Sequence, residues 1–185
     1  MPIRRYVDIN KLENAKGFLE IELEGAGLYV PRQQPLKDYF FIIKHGDYEG
    51  IQLIIDTTGV VREIPGGEYF ITNNKKYMFV LQEIDGSAPF RVMDLSTMEF
   101  VFHSHKDEYG INSRYIDYYN IEFYKKNADI YARLIGDNGT KLYKYNFNKH
   151  ILDGNVRQDT AKLSYIDLYY FYKNIGMCDC NENRF

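Results

Sequence analysis

The feature that most restricts what this chain can fold into is an internal repeat. The apolar run Tyr39-Phe40-Phe41-Ile42-Ile43 returns further along as Tyr77-Met78-Phe79-Val80-Leu81. Ile54-Ile55-Asp56-Thr57-Thr58-Gly59 returns as Val92-Met93-Asp94-Leu95-Ser96-Thr97, so Asp94 follows Asp56 by the same offset that separates Tyr77 from Tyr39. Agreement between two separate landmarks argues against coincidence. Each unit reads as an apolar strand, a turn, then a second strand that reverses at Asp or Asn with Ser, Thr or Gly. Those residue types supply local hydrogen bonds and tolerate turn backbone. A fainter third unit runs through Ile130-Tyr131-Ala132-Arg133-Leu134-Ile135 and Leu142-Tyr143-Lys144-Tyr145-Asn146-Phe147-Asn148-Lys149. Its longer offset marks residues around 106–120 as inserted. The expected fold is mainly β: antiparallel meander sheets built from propeller-like repeated hairpin units. Three units are fewer than the roughly 4–8 blades of a closed propeller, so the sheet is expected to be twisted or partly closed.

Phe18-Leu19-Glu20-Ile21-Glu22-Leu23-Glu24 alternates apolar and acidic residues. That period of two predicts a half-buried strand whose outer face carries Glu20, Glu22 and Glu24. Pro31 and Pro35 place a loop after it. Toward the C-terminus, Ser164 has N-cap chemistry and Asp167 stands three positions on. Leu163 and Leu168 have the spacing of a hydrophobic staple. Leu168, Tyr169, Phe171, Tyr172 and Ile175 form an apolar stripe, and Gly176 suits the left-handed position after a helix. One C-terminal α-helix is therefore expected over about 164–175, followed by a polar tail over 177–185. The 185 residues are expected to form a single domain over 1–176. A chain of this size buries roughly 70% of its unfolded surface, enough for a core without cross-links.

Charge and cysteine usage disfavour several function classes. Net charge is −3, and the 23 basic residues are interspersed with 26 acidic ones, so no phosphate-binding basic stripe stands out. The expectation is no nucleic acid. No run approaches the ~20 apolar residues of a membrane-spanning helix, so no membrane association is expected. The basic pair Arg4-Arg5 is not followed by an apolar segment of the kind found in secretory leaders, which points to a cytoplasmic protein. Cys178 and Cys180 lie together near the end and cannot cross-link distant elements.

Asp56-Thr57-Thr58-Gly59 resembles the Asp-Thr-Gly loop of aspartic proteases, and Leu134-Ile135-Gly136 resembles the apolar-apolar-Gly segment that packs beneath such a loop. The match is incomplete, because Thr58 stands where that family's pattern has Gly. The resemblance also implies a second carboxylate to share the proton. The repeat explains the motif more simply: Asp94 holds the same place in the next hairpin, so Asp56 reads as a turn residue. The remaining sequence offers no Gly-rich phosphate loop and no nucleophile elbow around Ser87. No catalytic residue and no cofactor is assigned.

His103-Ser104-His105 is the strongest metal candidate, since two imidazoles on one strand face can chelate zinc or copper. The plain alternative is a polar strand end. The segment 106–124 is rich in Tyr and Arg, the residue types of protein-interface anchors. Its candidates are Tyr109, Arg114, Tyr115, Tyr118 and Tyr119; the plain alternative is one more amphipathic strand. The carboxylates of Glu20, Glu22 and Glu24 would steer a basic partner. Together these features suggest a non-enzymatic protein-binding module. It would be a bacterial inhibitor or immunity-type protein that neutralises a partner enzyme or toxin. The alternative is a small-ligand- or metal-binding, hydrolytic β-domain that uses His103 and His105.

Overall fold

A computed structural model describes residues 5–6, 18–23, 26–29, 36–45, 52–64, 68–82, 89–105, 118–157 and 159–170. The chain divides into two compact units. One comprises Met1–Gly67 with Tyr169–Phe185, the other Glu68–Leu168.

The first unit contains β1 (Arg5–Tyr6), β2 (Phe18–Leu23), β3 (Ala26–Tyr29), β4 (Tyr39–His45), β5 (Gln52–Asp56) and β6 (Val60–Ile64). They form one sheet in the order β1-β6-β5-β4-β3-β2, with antiparallel pairing from β2 through β6 and between β1 and β6. The expected strand at 18–24 is β2. In β5 the consecutive residues Leu53, Ile54 and Ile55 are all buried. An unbroken apolar run of this kind belongs to a strand covered on both faces.

The second unit holds two meanders. The first is β7 (Glu68–Ile71), β8 (Tyr77–Leu81), β9 (Phe90–Asp94) and β10 (Glu99–His103), with each strand antiparallel to the next. The second is β11 (Tyr118–Lys126), β12 (Asp129–Gly136), β13 (Gly139–Asn146) and β14 (Ile151–Asn155), edged by the short β15 (Ser164–Tyr165). The repeat is more regular than the sequence alone suggests. Asp129, Asn146 and His150 follow Tyr77, Asp94 and Met98, their counterparts in the preceding meander, by one common offset. Met98 and His150 share a positive φ, at 59° and 52°. Non-glycine residues seldom adopt that backbone, so its recurrence marks the same turn geometry.

The turns reverse as the repeat predicts. The Asp56 Oδ1 accepts from the Thr58 and Val60 amides at 2.9 and 3.0 Å and from the Thr58 hydroxyl at 2.6 Å. Asp94 Oδ1 accepts from the Ser96 amide at 2.9 Å and the Ser96 hydroxyl at 2.6 Å. Asn146 Oδ1 accepts from the Asn148 and Lys149 amides in the third hairpin. Each side chain mimics a backbone acceptor and closes its own turn.

Between the two meanders of the second unit lies an aromatic core. Cross-strand neighbours point into it together: Phe70 with Phe79, Phe79 with Val92, Ile121 with Leu134, Phe123 with Ala132, and Tyr145 with Leu152. Alternate residues of each strand face the same side, so register assembles the core row by row.

No helix forms over the described part of the expected C-terminal helix, residues 164–170. Ser164 and Tyr165 pair with Lys125 and Tyr124 at the edge of β11. Residues 166–168 have no regular structure, and Tyr169–Tyr170 is a two-residue strand, β16. Residues 171–175 lie outside the described residues. The capping chemistry sits earlier in the chain: Asp159 caps a 3-10 turn at Thr160–Lys162, with its Oδ1 accepting from the Ala161 amide at 3.0 Å. Leu163, the expected staple residue, is buried instead with Tyr131 and Leu142. Tyrosine-rich sequence pairs readily with an open strand edge, and that pairing overrides local helical spacing here.

Candidate functional site

The candidate surface among the described residues is built on β11 and β12. Glu122 and Arg133 are cross-strand partners on the face opposite the aromatic core. Arg133 Nη1 donates to Glu122 Oε2 at 2.7 Å, and the Tyr124 hydroxyl donates to the same oxygen at 2.8 Å. The Tyr165 ring meets Tyr124 edge-on, with centroids 5.5 Å apart. Glu122 thus orients a guanidinium and a phenol at once. Its hydrogen bond raises the Arg133 pKa, and partial desolvation followed by the Glu122 hydrogen bond raises that of Tyr124. An ion pair this accessible contributes only about 0–1 kcal/mol to stability. Its consequence is geometric: two rings and a charged fork held in fixed places. Tyr165 remains 55% exposed.

Tyr119 stands at the other end of β11, in a bulge between Tyr118 and Asn120, and is 50% exposed. Adjacent strand residues face opposite sides, so Tyr118 and Tyr119 differ in environment; the bulge leaves Tyr119 and Asn120 both exposed and keeps Tyr118 and Ile121 both buried. Tyr118 is buried in the aromatic core. The described part of the expected insert, 118–124, is therefore part of β11, the opening strand of the second meander. Tyr109, Arg114 and Tyr115 lie outside the described residues, as do Glu24 and the two cysteines. Glu20 and Glu22 lie on β2.

His103 ends β10, and His105 follows in the turn. The two rings are 6.5 Å apart, centroid to centroid. His103 Nδ1 accepts from the His105 amide at 3.1 Å, and His105 Nδ1 lies 3.0 Å from the Ser104 hydroxyl. One nitrogen of each ring is thus engaged within the turn. Among the described residues no group of three His, Cys, Asp or Glu side chains could hold a metal ion. No helix among the described residues is long and apolar enough to cross a membrane. Asp56, whose carboxylate serves its own turn, lies in the first unit, and Leu134-Ile135-Gly136 of the protease-like pattern lies on β12 in the second.

Burial lowers the His105 pKa from its ordinary value of 6.5. The unfolded chain therefore binds a proton at a higher pH than the folded one. Stability from the neutral ring is present above pH 6.5 and is lost as pH falls through the folded pKa. Urea unfolding between pH 7.5 and 5 is expected to show a midpoint that falls less in His105→Asn than in the wild type. Identical pH slopes would rule the coupling out.

Sequence reasoning missed Glu122, Arg133 and Tyr165. The available signal was the alternation Asn120, Glu122, Tyr124, which reads as a polar strand face once β11 is recognised. The partnership with Arg133 and Tyr165 depends on register and on the β15 edge pairing, neither of which local sequence encodes. Comparison with known proteins returns no match: no family model, no curated protein and no solved structure is significantly similar to this chain.

Proposed function

We propose that this chain is a non-enzymatic protein-binding module of the inhibitor or immunity type, neutralising a partner enzyme or toxin. The observation that carries the reading is the Glu122–Arg133–Tyr124–Tyr165 cluster, with Tyr119 on the same strand. Interface anchors are enriched in Tyr and Arg, because large preorganised groups bring contact area at low entropic cost. The carboxylates of Glu20, Glu22 and Glu24 add steering toward a basic partner, and Tyr109, Arg114 and Tyr115 extend the contact surface. Propeller-like stacking with partial closure belongs to the same proposal, supported by the four-strand length of each meander.

The test is affinity co-purification from the native cell, with mass-spectrometric identification of what survives a salt wash. One stoichiometric basic protein is expected. Against it, the Tyr119→Ala/Tyr165→Ala variant is expected to dissociate at least tenfold faster. Reversal of Glu20, Glu22 and Glu24 to Lys is expected to slow association. Kinetics unchanged in both variants would sink the proposal.

A further inference from the structure

At one end of the second unit three hairpin turns converge. They join β7 to β8, β11 to β12 and β13 to β14. A cavity of about 500 Å³ opens among them, a size within the range of small-molecule sites. Its apolar wall comes from Phe70, Tyr77, Ile130, Phe147 and Ile166. Tyr77 and Phe147 form a tilted aromatic pair with centroids 4.9 Å apart. Tyr77 is only 6% exposed, so the wall is anchored in the core and does not depend on a mobile surface ring.

The polar part of the lining has one sign of charge. Its charged residues are Lys76 and Lys125 and its amide residues Asn73, Asn74, Asn127 and Asn148, with no Asp or Glu among the residues that line it. The Lys76 ammonium sits 5.2 Å from the Tyr77 ring centroid. This cation–π contact holds positive charge beside the aromatic wall. Neither Lys76 nor Lys125 is ion-paired with a carboxylate among the described residues, whereas Lys144 and Arg133 of the same unit are. The chain as a whole carries a net charge of −3, so two cations beside one cavity run against its overall balance.

The turns themselves are committed to this shape. Asn74 Oδ1 accepts from the Thr72 hydroxyl at 2.7 Å and from the Lys76 amide at 3.1 Å, which fixes the backbone that presents Lys76. Lys75 and Asn127 take positive φ, both 57°. Ligand-facing loops held by their own side chains lose little freedom on binding.

We infer that this cavity binds a small organic anion with a flat apolar body, of the aromatic carboxylate class. The ring would lie against Tyr77 and Phe147, and the carboxylate would meet Lys76 and Lys125 at the mouth, with the asparagine amides at the sides. A bare inorganic anion would leave the apolar wall wet. A neutral aromatic would leave both ammonium groups unpaired.

The test is isothermal titration calorimetry with 2-naphthoate and its neutral counterpart 2-naphthamide. Backbone amide NMR on the whole chain locates the site. 2-Naphthoate is expected to bind at least fivefold more tightly than 2-naphthamide. Its resonance shifts are expected in Asn73–Lys76, Lys125–Ala128 and Phe147–Asn148. Lys76→Gln/Lys125→Gln is expected to weaken 2-naphthoate by roughly two- to thirtyfold, the range for two accessible charge contacts, and to leave 2-naphthamide unchanged. Ala128→Trp, which places a large side chain at the rim, is expected to abolish binding of both. Equal affinity for the two probes, no binding of either, or shifts elsewhere on the chain would each overturn the proposal. Thermal melting of the variants establishes that they remain folded.

Discussion

Phe79→Ala is expected to destabilise the second unit by about 3–5 kcal/mol, the range for emptying a buried phenylalanine site. Phe79 is 1% exposed and pairs with the rings of Phe70, Phe90, Phe123, Tyr145 and Phe147. It stacks on Phe70 with centroids 4.6 Å apart, and meets Tyr145 and Phe123 edge-on at 5.2 and 5.7 Å. Truncation therefore removes transfer energy and several ring contacts at once. The cavity cannot close easily, because its walls are rigid rings on paired strands. Urea unfolding followed by circular dichroism is expected to show a large fall in midpoint. Tyr119→Ala, on the exposed bulge, should stay within about 0.5 kcal/mol of wild type. A Phe79→Ala effect as small as that would mean that the core is not packed around this ring.

Ser104→Ala is expected to cost about 1–3 kcal/mol, a large penalty for the loss of one oxygen atom. Ser104 is fully buried. Its hydroxyl accepts from the Phe90 amide at 2.9 Å, while its own amide donates to the Phe90 carbonyl at 2.9 Å. The side chain thus completes the pairing of β9 with the chain beyond β10, where the regular ladder has ended. Alanine would leave the Phe90 N–H buried without an acceptor, so the cost is the desolvation of that group. It would also remove the partner of His105 Nδ1. Urea unfolding gives the magnitude, and amide hydrogen exchange gives the location, with accelerated exchange expected at Phe90. Unchanged protection at Phe90, together with a loss no larger than that of a neutral surface substitution, would contradict this account.

Phe79 is legible in the sequence and Ser104 is not. Phe79 belongs to the apolar run Tyr77–Leu81, which repeats Tyr39–Ile43 and is thereby identified as a strand. Ser104 carries no such signal, since in the sequence it is only the spacer between two histidines. Its importance comes from Phe90, fourteen positions away.

The same division runs through the whole molecule. The chain's own sequence determined the β class, the strand β2, and the reversals at Asp56, Asp94 and Asn146. Each of these rests on interactions within a few residues. A side-chain oxygen closing its own turn and a strand's period of two are local, and the repeat shows them more than once. Tertiary structure alone decided that Ser164–Tyr165 is a strand and not the start of a helix, because the open edge of β11 offered hydrogen bonds that local spacing could not anticipate. It alone kept Tyr118 and Ile121, three positions apart, both in the core, through a one-residue bulge. It also gathered Lys76, Lys125 and Asn148 around one cavity, since the ends of three hairpins meet there only when two sheets share a core. Contacts between residues distant in the chain depend on register and packing, and a short sequence window specifies neither.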